Sequence, residues 1–357
     1  MPDPRVEPYA KLLVERCLDV QPGWQVLVYG APPGRPLIEE VMRQIGRRGA
    51  YALPRISFAR PDAAWINEAP LELLEQLSPI DAYETDNADA FLSVDAPENT
   101  RAGSDISSER LGLRRGALRP HFEPFFAGEK KWVGCQYPTH ALAQDAGMTL
   151  PDFEDFLYGA VLIDWEELGA RMRGIADHFD AAEEVRVASD GTDIRFSLAG
   201  RSGCVDALGA NMPGGEIFYS PLEDSAEGVI EFSEYPACYA GRVVEGVRLR
   251  FEGGRVVDAS ARTGEEFLLA TLDTDEGARV LGEFGIGCNP GITRHMQNTL
   301  FDEKIEGTVH LAVGSGFGLI GGVNVSAVHW DMVKNLREGG RIELDGETVQ
   351  KDGHWLV

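Results

Sequence analysis

The chain has 357 residues, of which 43% are hydrophobic and 25% are charged, and its formal net charge at pH 7 is −25. This is an ordinary globular composition with enough chain for two domains. The negative charge argues against binding to nucleic acid or to an anionic membrane surface, both of which attract Lys and Arg, and no apolar run approaches the about 18 residues of a membrane span.

The N-terminal residues and the cysteines indicate the compartment. The start, MPDPRVEPYAKLL, lacks the charged-then-apolar order of a secretory signal. The five cysteines are scattered, odd in number and without a CxxC pair, which favours free thiols over a disulfide framework or a zinc knot. They are Cys17, Cys135, Cys204, Cys238 and Cys288. We therefore expect a cytoplasmic protein.

In the first half of the chain, helix and strand patterns alternate. Val6, Tyr9, Leu13 and Cys17 recur at helical spacing, and segment 34–50 predicts a second helix that is stopped by glycine. Further helices are predicted at 71–77 and 152–165, and strands at 23–30, 51–59, 89–97 and 130–139. Strands joined by helices predict an N-terminal α/β domain with a mainly parallel sheet.

The turn after the first predicted strand reads YGAPPGRP and lacks the pattern GxGxxG. The dinucleotide fingerprint needs glycines that let the backbone approach a pyrophosphate. The sequence therefore does not predict NAD binding by this domain.

After a predicted helix at 164–184, the pattern changes to short alternating strands. The segment EVRVASDGTDIRFSLAGR alternates apolar and polar residues around an SDGTD turn, as a hairpin does. Residues 238–262 predict two or three more strands around an EGG turn. The boundary therefore falls near residues 170–185, and we divide the chain into an α/β domain, 1–178, and a sheet-rich α+β domain, 179–357.

Acidic residues and histidines beside glycine-rich turns are the candidate functional residues of the second domain. Glu216 lies in NMPGGEIFYSP, Glu283 in LGEFGIGCNPGI and His310 in GTVHLAVGSG. His329 and Asp331 share SAVHWDMV. Carboxylates combined with imidazoles suit Zn, Co or Mn, and paired metal ions occur in aminopeptidases. Taken singly, a Glu after Gly-Gly is usually a solvated turn residue and a strand His a core residue, and spacing alone does not show that these segments meet.

His329 and Asp331 form the most informative pair. Side chains two residues apart in a strand point to the same face. A buried carboxylate and imidazole there need a partner, because an unpaired buried charge is unfavourable. That partner could be an Arg, a water molecule or a metal ion. Trp330, between them, is expected to point to the other face and to help pack the strand.

Several ordered motifs make the chain similar to a known family. NMPGGEIFYSP…EDSAEGVI, LGEFGIGCNPGI, NTLFDEKIEGTVHLAVG and SAVHWDMV resemble the aminopeptidase T/aminopeptidase S family of metallopeptidases. The N-terminal DPRVEPYAKLLVERCLDVQPGWQVLV and the central CQYPTHALAQDAGMTLPDFEDFLYGA also fit that family. The resemblance covers nearly the whole chain.

The resemblance implies an enzyme with two divalent metal ions (Zn, Co or Mn) that removes N-terminal residues from short peptides. The family's ligands are two glutamates, two histidines and an aspartate. They fall on Glu216, Glu283, His310, His329 and Asp331. Glu283 is the implied catalytic residue, which bridges the ions or handles a proton. Family members form dimers whose active sites face an internal cavity, so the resemblance also implies a homodimer.

One position departs from the family pattern. Family members read HLALGQSY, with a tyrosine seven residues after the ligand histidine, whereas this chain reads HLAVGSGF and has Phe317 there. A phenol can donate a hydrogen bond to an oxyanion and Phe cannot; losing one such donor lowers rates by on the order of 10²–10³. Tyr219 and Tyr235 are other tyrosines of this domain, and the sequence does not place them near the metal ligands.

Three functions therefore remain open. The first is a metallo-aminopeptidase. The second is a same-fold metalloenzyme with another reaction, such as a dihydroxypyridine dioxygenase with a His, His, Asp iron site, and the third is a weakly active or non-catalytic relative. An iron dioxygenase needs few ligands and open positions, so the retention of Glu216 and Glu283 favours hydrolysis. The third function predicts the loss of at least one ligand, and none is lost.

Overall fold

Parallel and antiparallel strands separate into two units of the chain. The computed structural model describes residues 3–58, 61–102 and 105–357. The first unit comprises Met1–Leu162 with Leu208–Pro213, and the second comprises Ile163–Ala207 with Gly214–Val357. The predicted fold class, a mainly parallel α/β domain followed by a sheet-rich α+β domain, is confirmed.

The strands follow one another in chain order. They are β1 (Gln25–Gly30), β2 (Tyr51–Ile56), β3 (Ala90–Asp95), β4 (Lys131–Gln136), β5 (Glu184–Ser189), β6 (Thr192–Ser197), β7 (Cys204–Asp206), β8 (Asn211–Met212), β9 (Glu216–Tyr219), β10 (Glu227–Phe232), β11 (Ala237–Tyr239), β12 (Arg242–Val244), β13 (Val247–Glu252), β14 (Arg255–Ser260), β15 (Leu281–Gly287), β16 (Thr308–Gly314), β17 (His329–Asn335), β18 (Arg341–Leu344), β19 (Glu347–Lys351) and β20 (His354–Trp355).

The helices are numbered in the same way. They are α1 (Val6–Lys11, which continues in a wider π-helical turn over Leu12–Cys17), α2 (Arg35–Arg47), α3 (Pro61–Glu68), α4 (Leu71–Leu74), α5 (Pro79–Asn87), α6 (Ser108–Phe126), α7 (His140–Asp145), α8 (Leu150–Val161), α9 (Trp165–Asp180), α10 (Glu265–Leu272) and α11 (Thr299–Asp302). Short 3₁₀ turns cover Pro32–Gly34 and Gly318–Ile320.

The sheet of the first unit is parallel, with the strand order β2-β1-β3-β4-β8. In β1, Val26, Leu27 and Val28 are all buried, as expected where helices cover both faces of a parallel sheet. The strand predicted to run to residue 59 ends at Ile56, and residue 59 lies outside the described residues. The βαβ unit predicted from the sequence is thus β1, α2 and β2.

Helix α6 has no counterpart among the predicted elements. It contains Pro120 and Pro124 in its interior, and proline there removes a hydrogen-bond donor and clashes with the preceding turn, so the sequence reads as a broken segment. Ser107 caps the helix by accepting a hydrogen bond from the Arg110 backbone N–H at 3.3 Å. Tertiary packing rather than local preference therefore sets the length of this helix.

The second unit contains the antiparallel sheets. An eight-stranded sheet has the order β14-β13-β10-β6-β5-β18-β19-β20, and a five-stranded sheet has the order β17-β16-β15-β9-β7. β11 and β12 form a separate pair. The hairpin predicted around SDGTD is confirmed as β5 and β6, and the strands predicted in 238–262 are β11 to β14.

The helix α9 lies in the second unit, because it packs against β7 and β9 of the five-stranded sheet. The sequence boundary between residues 178 and 179 cuts through this helix, so the observed division differs from the predicted one. The reason is that α9 presents an apolar stripe, which includes Met172, Ile175 and Phe179, to that sheet.

Among the described residues, no helix is both long and apolar enough to cross a membrane.

Candidate metal centre

The five predicted site residues lie on neighbouring strands of the five-stranded sheet. Glu216 begins β9, Glu283 is in β15, His310 is in β16, and His329 and Asp331 are in β17. The strand predicted for His329 and Asp331 is confirmed. Because these strands are adjacent and antiparallel, segments far apart in sequence meet on one face of the sheet.

On this face the five side chains form a continuous cluster. His310 Nε2 lies 3.6 Å from Glu216 Oε2 and 3.5 Å from Glu283 Oε1. His329 Nε2 lies 3.0 Å from Glu283 Oε2 and 3.5 Å from Asp331 Oδ2. Glu216, Glu283 and His310 are buried, and the His329 side chain is 31% exposed. His329 therefore marks the side of the cluster that solvent reaches.

The glycine at position 285 makes room for His310. Gly285 is paired with His310 across β15 and β16. A Cβ atom built on Gly285 would lie only 1.9 Å from His310 Nε2, so the imidazole occupies the space above this glycine. The sequence EFGIG in β15 thus places Glu283 and the glycine without a side chain, Gly285, on the same face. This allows the Glu283 carboxylate and the His310 ring to approach each other.

Backbone carbonyl groups orient both imidazoles. His310 Nδ1 lies 3.0 Å from the Glu303 carbonyl oxygen, and His329 Nδ1 lies 2.9 Å from the Ser315 carbonyl oxygen. A carbonyl oxygen only accepts, so Nδ1–H is the donor in each case. Both Nε2 atoms then point into the cluster, which is the arrangement that metal-binding histidines usually have.

Two further charged residues, which the sequence patterns did not single out, belong to the cluster. Lys304 is fully buried, and its Nζ lies 3.0 Å from Glu216 Oε1 and 2.5 Å from Glu303 Oε1. Burial raises the pKa of Glu303, and the charges of Glu216 and Glu303 hold the pKa of Lys304 well above its usual value despite burial. In the sequence these residues belong to the run DEKIEG, which resembles an ordinary solvated turn, so no local signal could have identified them.

Burial and the close contacts shift the pKa values of the predicted ligands in opposite directions. Burial raises the pKa of Glu216 to about 7, and it also raises that of Asp331. Burial opposes ionisation of Glu283 too, but hydrogen bonds with His310 and His329 lower its pKa to about 2. Although burial disfavours imidazolium, these carboxylate neighbours raise the pKa of His310 to about 9 and that of His329 to about 10. In the metal-free protein at neutral pH, the protonated imidazoles of His310 and His329 therefore offset the charge of carboxylates that would otherwise repel one another.

The donor set fits a hard or borderline divalent cation. Glu216 Oε2 and Asp331 Oδ1 are buried and have no hydrogen-bond partner, although buried polar atoms almost always have one. Two groups of side chains, Glu216 with Glu303 and His310, and Glu283 with His310 and Asp331, each offer three ligand atoms within 4.8 Å of one another. Carboxylate oxygens and imidazole nitrogens in such groups suit Zn, Co or Mn.

The aromatic residues that bear on catalysis are also placed by the structure. The Phe317 ring lies 5.0 Å from the His329 ring, so the position where the family pattern has tyrosine is next to the cluster. The Tyr219 hydroxyl donates to the Ala176 carbonyl oxygen on the opposite face of the sheet, and the Tyr235 hydroxyl accepts a hydrogen bond from Arg337. Tyr219 thus does not supply the phenol that Phe317 lacks.

Comparisons with known proteins concern the family and the fold of the chain. A family model described as thermophilic metalloprotease (M29) matches residues 3–355. Aminopeptidase 2 of Geobacillus stearothermophilus is 28% identical over 98% of this chain and 94% of its own length. Wild-type AmpT from Thermus thermophilus has a similar fold, with a TM-score of 0.84 at 24% identity over 99% of both chains. The fold of 2,5-dihydroxypyridine dioxygenase from Pseudomonas putida is also similar, with a TM-score of 0.63 at 15% identity over 99% of this chain and 97% of that one.

Proposed function

The chain belongs to the thermophilic metalloprotease family (M29), and on that premise we propose that it is a metal-dependent aminopeptidase that removes the N-terminal residue of short peptides. The observation that carries the proposal is the cluster on one sheet face, in which two buried carboxylate oxygens, Glu216 Oε2 and Asp331 Oδ1, lack a hydrogen-bond partner. The name of the similar protein Aminopeptidase 2 supports the choice of reaction.

We propose two adjacent ion positions. Glu216, Glu303 and His310 would hold one ion, and Glu283, His329 and Asp331 would hold the other. His310 would bind only one ion, because Nε2 is its one nitrogen with a free lone pair. Bound divalent ions of this kind polarise a peptide carbonyl and lower the pKa of a water nucleophile. Lys304 would position Glu216 and Glu303, because its ammonium group contacts both carboxylates.

Glu283 is the proposed proton carrier. Its carboxylate lies between the two imidazoles, with Oε1 3.5 Å from His310 Nε2 and Oε2 3.0 Å from His329 Nε2. From this position Oε2 would accept a proton from the attacking water and return it to the leaving amine, the role of a general acid and base. Glu283 is then both a ligand and the catalytic residue.

Metal binding would account for selection of a free N-terminus. Glu216, Glu283, Glu303 and Asp331 supply four carboxylates beside the cation of Lys304, and two divalent ions would offset this negative charge. The α-amino group of a free N-terminus has a lone pair that could bind one of the ions, whereas the nitrogen of an acylated N-terminus is a poor ligand. This would favour an exopeptidase over an endopeptidase.

A dioxygenase reaction is not favoured. Its fold is similar to that of this chain, but an iron site for oxygen chemistry needs few protein ligands and open positions. Here Glu216, Glu283 and Glu303 lie beside His310 in addition to the aspartate and second histidine. A set so rich in carboxylates suits hydrolytic chemistry better.

Chelator-stripped protein provides the test. We expect it to hydrolyse L-leucine p-nitroanilide and Leu-Gly only after Zn, Co or Mn is added back, and to leave N-acetyl-leucine p-nitroanilide uncleaved with every metal. Fe(II) under air serves as the dioxygenase control, with 2,5-dihydroxypyridine as substrate. Ring opening with Fe(II) and no aminoacyl hydrolysis with any metal would reverse the assignment.

Assembly and location are proposed from observations other than the cluster, and each has its own test. We propose a homodimer, as the family resemblance implies, which sedimentation velocity at micromolar concentration would detect. The five cysteines, all within the described part of the chain, form no disulfide, which supports the proposed cytoplasmic location because thiols stay reduced there. Cell fractionation would test it.

A further inference from the structure

A loop without charged residues adjoins the cluster. Residues 315–328 read SGFGLIGGVNVSAV and connect β16 to β17. Apolar side chains of this loop are largely open to solvent: Phe317 is 38% exposed, Leu319 72%, Val323 73% and Val325 76%. Apolar side chains grouped in this way beside a site usually have a binding partner.

The loop is held in place by its surroundings. The Phe317 backbone N–H donates to Ser220 Oγ at 3.0 Å, and the Val323 backbone N–H donates to Glu223 Oε1 at 2.7 Å. At the far end, the Ala327 backbone N–H donates to Asp275 Oδ2 at 2.7 Å. These anchors keep the apolar side chains from collapsing onto the protein, so their exposure is a fixed feature of the fold.

The charged groups beneath the loop are already engaged. Glu223 is paired with Arg201, whose Nη2 lies 3.0 Å from Glu223 Oε2. Asp275 accepts from Ser326 Oγ at 2.8 Å as well as from the backbone. Neither carboxylate is therefore available to bind a charged substrate side chain.

Phe317 and Phe218 form what we call the aromatic wall of the cluster. Phe218 follows Glu216 by two residues in β9 and so shares its face of the sheet. The Phe317 ring centroid lies 5.3 Å from that of Phe218 and 5.0 Å from that of His329. The wall thus borders the exposed side of the cluster, where His329 meets solvent.

We propose that the aromatic wall binds the side chain of the substrate's N-terminal residue and selects large apolar residues, an inference that rests on the proposed aminopeptidase function. If the α-amino group and the scissile carbonyl lie at the cluster, the side chain between them extends only a few ångströms further. Phe317 is the apolar group next to His329 at that distance. Apolar contact there favours Leu or Phe over Ala, and it disfavours Asp and Glu because a carboxylate loses hydration against an apolar surface.

The test compares kcat/KM for the p-nitroanilides of Leu, Phe, Ala and Glu. Because one or two methylene groups in an apolar pocket change kcat/KM by about 10–200-fold, we expect wild-type protein to prefer Leu over Ala by at least about tenfold. Phe317→Ala should reduce that Leu-to-Ala ratio about tenfold, mainly through KM for the Leu substrate. Phe317→Tyr retains the ring and should retain the ratio, whatever it does to kcat.

The matched control is Val257→Ala, which removes an exposed apolar side chain from β14, on the eight-stranded sheet. It should leave the ratio unchanged. Should Phe317→Ala fold poorly, Phe317→Leu keeps an apolar side chain and should shift selectivity away from Phe substrates in particular. A wild-type ratio near one, or a ratio that no substitution of Phe317 moves, would overturn the inference.

Failure of the proposed function can be told apart from failure of this inference. If no aminoacyl p-nitroanilide is hydrolysed with any metal, the aminopeptidase assignment is wrong, and calorimetry on zinc-loaded protein decides about the wall. L-Leucine hydroxamate should then still bind at least about tenfold more tightly than glycine hydroxamate, and Phe317→Ala should remove the difference. Equal affinities in wild-type protein would reject the wall as an apolar subsite.

Discussion

The two faces of the five-stranded sheet are made by alternate residues of the same strands, yet they serve opposite purposes. In β15, Glu283 and Gly285 face the cluster, whereas Phe284 packs on the other face, 4.9 Å from Phe196 and 6.0 Å from Phe179 between ring centroids. In β17, Trp330 is fully buried on that other face, where it stacks on Tyr239; the predicted role of Trp330 in packing is confirmed.

This difference indicates which face of the sheet stabilises the second unit. The face with Phe284 and Trp330 is stabilised by apolar burial and requires no ligand. The cluster face buries Glu216 and Asp331 with unpartnered oxygens and needs protons or a cation to be satisfied. We therefore expect substitutions on the face with Phe284 and Trp330 to change stability alone, and substitutions on the cluster face to change metal binding as well as stability.

His329→Ala should produce the largest effect on activity. It removes a proposed ligand whose side chain is partly exposed, so we expect a loss of about 10⁴-fold or more in kcat/KM and loss of stoichiometric metal. The free energy of unfolding of metal-free protein should fall by about 2–4 kcal/mol, because the hydrogen bond to the Ser315 carbonyl and the charge-assisted contact with Glu283 Oε2 are both lost.

His121→Ala is the control for that substitution. His121 is also partly buried and also contacts a carboxylate, with Nδ1 2.9 Å from Asp86 Oδ1, but it lies in the first unit. Its activity and its metal content, measured by elemental analysis after gel filtration, should match wild type. Full metal content in His329→Ala would defeat the ligand assignment.

Phe284→Ala tests the opposite face one residue away from Glu283. Removing a fully buried aromatic ring from a packed core typically destabilises a protein by about 3–5 kcal/mol, so we expect a clear loss of stability in denaturant titrations of the metal-free protein. Metal stoichiometry below the unfolding transition should stay at the wild-type value. Loss of metal at full folding would show that the two faces are coupled.

The sequence predicts the individual strands and turns better than it predicts how they come together at the site. Apolar runs and turn residues were enough for the parallel strands and for the SDGTD hairpin, because these signals are local. Five of the six proposed ligands could likewise be named from their motifs, and Glu303 is the exception. That Glu216, Glu283 and His310 approach one another depends on strand order and register, which are long-range properties that no single segment encodes.

Glu303 and Lys304 show the limit of local patterns most clearly. A run of charged residues before a strand normally points to solvent, yet Lys304 is fully buried between two carboxylates. Burial of its charge is energetically tolerated only because Glu216, from another strand, pairs with it, and the local sequence does not show that partner. The same holds for α6, whose two prolines argue locally against the helix that packing maintains.

The pH dependence of metal binding should reveal the protons that hold the cluster together. The pKa of His310 is about 9 and that of His329 about 10 in the metal-free protein, so filling both ion positions at neutral pH must displace about two protons, one from each imidazole. Since both values lie above this range, the apparent affinity for each ion should rise by up to about tenfold per unit between about pH 6 and pH 8. Zinc calorimetry in buffers of different ionisation enthalpy counts the released protons, and a pH-independent affinity would contradict the assignment.

Gly285→Ala should have the smallest effect of the four and the most specific one. The new Cβ would overlap His310 Nε2, 1.9 Å away, so the imidazole must turn away from its position between Glu216 and Glu283. Displacing a ligand without deleting it resembles the loss of an orienting contact, which weakens metal affinity by about 10–100-fold. Competition with a fluorescent zinc chelator measures this change directly.

Gly174→Ala distinguishes that specific clash from a general effect of replacing glycine. Gly174 lies in α9, where a Cβ atom would meet nothing within 4 Å, and Ala in a helix is favoured over Gly by about 1 kcal/mol. This variant should therefore be as stable as wild type or more stable, with unchanged zinc affinity. If Gly285→Ala also kept wild-type zinc affinity, the imidazole of His310 could not be a fixed ligand, and the assignment of this residue to an ion position would have to be abandoned.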